Sequence, residues 1–253
     1  MINNMKKITV LFAFFALASS LLAQSSKTRS LSNFDEVSIS EGIKAKLRKG
    51  NKNEVKIEAD NISIDRVLTE VRGDRLKVHL DGNNWRRNPE VRVYITFKEL
   101  EGLHAGLGAK VILEDDVEAD VFDASTGSGA NMKLEGRIRA KDMSLDASSG
   151  SYLYAEAVSA DELEAEASSG ANIEIEGGSV NEMEADVSSS GKVSAYDLKC
   201  KRVSAEASSG GGVKTYASEA IRGNASSGGW IYYKGSPDRV RENESSGGRV
   251  REQ

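Results

Sequence analysis

Polar and apolar residues alternate in short runs across residues 103–253, and the runs break at nearly regular intervals. Leu163, Ala165 and Ala167 interleave with Glu164, Glu166 and Ser168; the scheme returns as Met183, Ala185 and Val187, then as Val203, Ala205 and Ala207. After each break a second run follows, with Ile173 and Ile175 set between Glu174 and Glu176, and with Val193 and Ala195 one period later. A period of two predicts strands buried on one face, not helices. Each break is a small residue followed by Ser-Ser-Gly or a variant, beginning at Ser125, Ser148, Ser168, Ser188, Ser208, Ser226 and Ser245, in steps of 23, 20, 20, 20, 18 and 19 residues. AGLGA at 105–109 is a weaker copy.

A unit of about 20 residues holding two strands and two turns cannot bury its single apolar row alone. Stacked about 4.8 Å apart, such units share a narrow continuous core. The pattern therefore predicts an all-β parallel solenoid with two main sheets and Gly/Ser corners. Gly127, Gly150, Gly170, Gly210, Gly228 and Gly247 are placed at the corner, where positive φ is expected, with Ser190 the exception and Gly191 directly after it. The serines are expected to stack as hydroxyl ladders. Val240, Glu242 and Glu244 stand where earlier units place apolar residues, so the last unit reads as a polar cap. Residues 30–100 carry alternating strands without the corner phrase, read as less regular opening coils or a small β-subdomain. The expected division is 1–23, 24–102 and 103–253.

The start of the chain changes the picture of location. Lys6 and Lys7 precede an apolar run from Ile8 to Leu22 with small residues near Ala23, the build of a signal peptide cleaved after Ala23. No later segment approaches the roughly 20 apolar residues of a membrane-spanning helix. Export to the periplasm, the outer membrane surface or the medium follows, with no transmembrane segment in the mature chain. The single cysteine, Cys200, excludes an internal disulfide and reads as a small buried hydrophobe. Between Val117 and Leu198 there are 17 acidic and 5 basic residues, which argues against nucleic acid as a partner.

FDEVSISEGIKAKLRKG, VRVYITFKELEGLHAGLGA and the SSG corners running to the C-terminus resemble the putative auto-transporter adhesin, head GIN domain family of exported Bacteroidetes-type proteins. The resemblance covers essentially the whole mature chain. It implies a right-handed β-helix and a role in adhesion at the cell surface, with no catalytic residues to carry across.

Four features are candidates for chemistry or binding. His79 and His104 lie far apart with no nucleophile arrangement around them, so catalysis as in β-helical polysaccharide lyases and hydrolases would fall to carboxylates. Asp123, Asp146, Glu166, Asp186 and Glu206 occupy one position of successive repeats and are expected to form an outward row, continued by Asn224 and Asn243. Such a row could raise its members' pKa values or hold calcium. It has no distinguished pair, however, and neither a metal site, a cofactor nor catalysis is expected. In the strands after the corner, Tyr152, Tyr154, Tyr196, Tyr216, Trp230 and Tyr232 fall on one outer face. Flat aromatics beside polar groups suit a sugar ring or a cell-surface protein, and they equally suit cross-strand packing that only stabilises the sheet. The loop at 81–91, with Trp85, Arg86 and Arg87, is a lesser candidate contact. The leading expectation is an adhesin-like binding module, with an enzyme or an oligomerising envelope scaffold as alternatives.

Overall fold

A computed structural model describes residues 25–82 and 89–253. The expected leader at 1–23 and the Trp85 loop tip lie outside these residues. The described chain is a β-solenoid of about eight turns with coils of roughly 20 residues. Two faces meet at the corner. The leading face carries the strands before it, among them Gly102–Ala105, Val121–Thr126, Asp142–Ala147 and Arg239–Glu244. The trailing face carries those after it, among them Lys110–Leu113, Asn172–Ile175, Trp230–Lys234 and Arg249–Glu252. Both are parallel ladders in strict register, as in Leu163↔Met183↔Val203↔Ile221 on the first and Leu153↔Ile173↔Val193↔Val213 on the second. A third, shorter parallel ladder, not expected from the sequence, runs Val117↔Ile138↔Val158↔Gly178. It is short because only two or three residues per coil, such as Val180 and Cys200, pair there before the next corner-bound strand begins.

The corner is a tight turn with two left-handed residues. Ser149 and Gly150 have φ of 54° and 67°, and the Ser151 N–H donates to the Ser148 carbonyl at 3.2 Å, the pattern of a type I′ turn. The corners also bond one another: Gly129, Gly150 and Gly170 each donate N–H to the carbonyl of the next coil's middle corner residue, Ser149, Ser169 and Ser189, all at 3.0 Å. Main-chain bonds, more than serine hydroxyls, thus carry the sheet around the bend and satisfy its buried polar groups. Hydroxyls contribute locally, as where the Ser151 Oγ–H donates to the Thr126 carbonyl at 3.0 Å.

Two expectations about the corner need correction. Thr126 pairs with Ala147, so Gly127 is equivalent to Ser148, and the left-handed pair of that coil is Ser128 (φ 50°) and Gly129 (φ 70°). Gly127 itself opens the turn by accepting a bond from Ala130. The apparent 23-residue step came from aligning two different serines. Within residues 30–100 the sequence also hides a first corner: Glu41 and Gly42 have φ of 61° and 70°, and Gly42 donates to the Leu107 carbonyl at 2.9 Å.

The core is a single cluster from Phe34 to Val250. Ser25–Ser30 and Glu54–Asp60 close the trailing face through antiparallel pairing, and Val67–Arg72 pairs antiparallel with Arg75–Leu80 beside the leading face. At the other end all six residues of Arg239–Glu244 are exposed. The inward column there ends as expected: Ile221 pairs with Val240, Gly223 with Glu242 and Ala225 with Glu244.

Candidate functional site

The outward columns of the trailing face follow from register. One reads Asn131, Tyr152, Asn172, Lys192, Gly212, Trp230, Arg249; the next reads Lys133, Tyr154, Glu174, Ser194, Lys214, Tyr232, Arg251. All six aromatics are half-buried. The structure does not gather them into one platform. It makes three groups.

Trp230 and Tyr232 pack together, with ring centres 5.0 Å apart and planes tilted by 30°. The indole can lie flat because the coil beneath offers a glycine: a Cβ on Gly212 would stand 2.0 Å from a Trp230 ring carbon. Tyr152 and Tyr154 share one coil, and the Tyr152 hydroxyl donates to the Glu174 carboxylate. Burial and that carboxylate push the Tyr152 phenol up. Tyr196 and Tyr216 are covered by lysines. The Lys234 ammonium lies 4.4 Å and the Lys214 ammonium 5.6 Å from the Tyr196 ring centre, and Lys199 lies 4.0 Å from that of Tyr216. These are cation–π contacts within the fold. They occupy faces that a ligand would otherwise meet. Tyr196 also donates to Gln253 Oε1 at 2.7 Å.

Between the first two groups lies a shallow depression of about 300 Å³, walled by Tyr152 and Trp230 and floored by Asn172, Lys192 and Ser194. A seventh aromatic on this face was missed. Tyr94 is paired with Lys46, is 37% exposed, and carries the Lys56 ammonium 5.3 Å from its ring centre. The alternation in EVRVYITF held that signal, outside the repeat where the aromatics were sought.

The acidic row differs from expectation at one end. Asp146, Glu166, Asp186 and Glu206 stack in register, and Asn224 and Asn243 continue them through side-chain amide bonds of 2.8 Å. Asp123 is not a member: it pairs with Ser144, and Ser125 and His104 hold the row's place in the preceding coils. Desolvation, reinforced by like-charged neighbours, raises the pKa of Asp146, Glu166 and Asp186. A groove of about 730 Å³ follows this row. No cluster of three or more His, Cys, Asp or Glu suited to a metal occurs among the described residues.

His104 does meet a serine and a carboxylate. Its Nδ1 is 2.8 Å from Ser125 Oγ, and its Nε2 is 3.9 Å from Glu36 Oε2, a carboxylate already held by Arg75 at 2.5 Å. The second gap is too long for a hydrogen bond. Burial pushes the His104 imidazolium down, so the ring is neutral near pH 7. His79 lies in Arg75–Leu80, the strand that also carries Arg75, and pairs there with Leu68. Cys200 is buried, and burial pushes its thiol up to about 12, as expected of an inert filler. No helix among the described residues is long and apolar enough to cross a membrane.

Solved structures share this architecture, among them three matched over 90% of this chain. Two are described as putative adhesins, from Parabacteroides distasonis (20% identity, TM-score 0.85, covering 90% of this chain and 96% of that one) and Parabacteroides merdae (18%, 0.84, 90% and 95%). A third, also from P. distasonis, is described as a putative lipid binding protein (19%, 0.80, 90% and 96%). At these identities the likeness is one of fold. No curated protein matches the chain. The family model for the putative auto-transporter adhesin, head GIN domain, spans residues 33–237, and the chain belongs to that family.

Proposed function

We propose that this chain is an exported, non-catalytic binding module that presents its trailing face to glycan or protein at a cell surface. In this reading residues 1–23 are a leader removed on export, 24–102 close one end, and 103–253 form the repeat that displays the face. The adhesin family and the two adhesin-described neighbours support the adhesive role. The observation that carries it is the Trp230 indole lying over Gly212 and packed against Tyr232, across the depression from Tyr152. Gly212 is the residue that makes room for this arrangement, and a flat aromatic beside hydrogen-bonding groups is what a sugar ring stacks on. Tyr196 and Tyr216, with lysines over their rings, act in this scheme mainly by holding those lysines in place.

The test is a variant carrying Tyr152→Ser, Tyr154→Ser, Trp230→Ser and Tyr232→Ser, compared with the parent on a glycan array and on cells. Loss of binding with an unchanged far-ultraviolet circular dichroism spectrum is the expected result. Full binding by the folded variant would reject the aromatic face as the site. Turnover of acidic polysaccharides by the purified parent would instead favour the enzyme alternative.

A further inference from the structure

We propose that the ligand of this face is a linear acidic polysaccharide, gripped through its carboxylates or sulfates by Lys192, Lys214, Lys234 and Arg249 around the Trp230–Tyr232 pair. The inference rests on the aromatic-face reading above and adds the chemical class. The chain carries a formal net charge of −5, yet the outward positions of its last four coils contain Lys192, Lys214, Lys234, Arg249 and Arg251 and no acidic residue. The three coils before them carry Glu135, Glu156, Glu174 and Glu176 against Lys133. The face is therefore zoned, and the cations lie with the stacked aromatics.

Most of these cations lack a carboxylate partner. Arg251 pairs with Glu244, but Lys192, Lys214, Lys234 and Arg249 have no carboxylate within ion-pair distance among the described residues. Lys214 and Lys234 lie over the Tyr196 ring, which holds their ammonium groups close to the sheet. Lys192 and Lys214 border the depression between Tyr152 and Trp230, and Glu174, which also lines it, is taken up by the Tyr152 hydroxyl. Register supplies at least one cation on each successive coil, about 4.8 Å apart, so the positive row extends along the solenoid axis. A row of charges on a rigid ladder matches a polymer whose anionic groups also recur along a line.

A lipid surface fits less well. Interfacial binding needs apolar side chains that enter the acyl boundary, whereas the exposed large hydrophobics among the described residues are Leu107 at a corner, Val121 and Val240 on the leading face, and Tyr94 at the opposite end of the trailing face. A second copy, docking its acidic zone on this basic one, is the remaining competitor.

The experiment immobilises the purified chain and titrates heparin, polygalacturonate, neutral dextran and phosphatidylglycerol vesicles at low and physiological salt. Heparin or polygalacturonate should bind and dextran should not, with affinity falling as salt screens the contacts. The variant with Lys192→Gln, Lys214→Gln, Lys234→Gln and Arg249→Gln should lose at least about tenfold in affinity for the acidic polymers, at an unchanged melting temperature. Lys133→Gln, in the acidic zone, should leave affinity unchanged. The single variants Lys192→Gln and Lys214→Gln keep the test open should the quadruple variant fold poorly. Dextran binding that survives the charge variant but not the aromatic variant overturns the acidic ligand and leaves the aromatic face standing. Acidic-polymer binding that survives the aromatic variant sinks the aromatic face instead. Binding to vesicles alone, or a doubling of mass that the charge variant abolishes, would replace the polysaccharide with a membrane or a second copy.

Discussion

Gly170 and Ser190 occupy the same corner position on adjacent coils, at φ of 73° and 62°. A left-handed backbone costs an L-residue roughly 1–2 kcal/mol. Nothing lies within 4 Å of where a Cβ on Gly170 would stand, so Gly170→Ala isolates that backbone cost. It is expected to destabilise the fold by about 1 kcal/mol. Ser190→Gly runs the other way, with a gain of similar size, about 1 kcal/mol, because the same left-handed cost and the same unfolded-state freedom of glycine enter with opposite sign. Urea midpoints of the two variants and the parent measure both, and equal midpoints would contradict the turn assignment. A third glycine acts through contact instead of φ. In Gly212→Ala the new methyl must push the Trp230 indole off the sheet, because the two cannot share the space. In a Trp85→Phe background, needed because the chain has two tryptophans, the emission of Trp230 should shift to the red and become easier to quench with acrylamide. An unshifted spectrum would mean that the ring does not rest on Gly212.

At the scale of the element, stacking in register has a cost as well as a use. It brings Asp146, Glu166, Asp186 and Glu206 together on successive strands. Like charges directly opposite on neighbouring strands are destabilising. Asn224 and Asn243 show the amide alternative already in place, each donating to its neighbour in the row. The raised pKa values of Asp146, Glu166 and Asp186 fix the direction of the pH effect. Their charged forms are disfavoured in the fold, so protonation favours it: their stabilising contribution is complete below the ordinary carboxylate range and is lost as pH rises through the raised values. The triple variant Asp146→Asn, Glu166→Gln, Asp186→Asn should therefore melt higher than the parent at pH 7. Its advantage should shrink on acidification toward the ordinary carboxylate range, and a constant difference between the two melting curves would count against the like-charge account. This row also shows what could be read from the sequence. From Asp146 onward, and throughout the trailing-face columns, a recognisable corner in every coil made register a matter of counting from it, although coil length varies. At Asp123 counting failed, because STGSG offers two candidate serines and only strand pairing decides between them. The Glu41–Gly42 corner escaped notice because its phrase lacks the second serine, although the turn needs only a tolerant residue before glycine. The six aromatics were correctly assigned to one face, but their division into three groups depends on Gly212 and on lysines arriving from other coils, contacts that alternation cannot reveal.

For the molecule as a whole, a solenoid has two ends where a parallel core stops, and this chain treats them differently. One is closed by antiparallel strands. The other ends on Arg239–Glu244 and Arg249–Glu252, whose outer edges have no further strand among the described residues. An open edge over an apolar column invites another chain to continue the sheet. Here the column is switched to polar in its final coil. Glu242, in line with Gly223, accepts a hydrogen bond from the buried Tyr233 at 3.1 Å, and Glu244, in line with Ala225, accepts one from the Val250 N–H at 2.7 Å and pairs with Arg251. Both carboxylates take up donors and carry charge on the terminal surface, so a second molecule stacking there would have to desolvate them. Glu242→Leu combined with Glu244→Leu removes that barrier and extends the apolar column to the surface. Because the opposite end is closed by antiparallel strands, the freed surface meets its like in a second copy, and such contact closes as a dimer. The variant should therefore show a mass in light scattering that grows with concentration toward twice the parent's, with a strand-rich spectrum retained. A mass equal to the parent's over the same range would mean that something other than the polar last coil limits end-to-end contact.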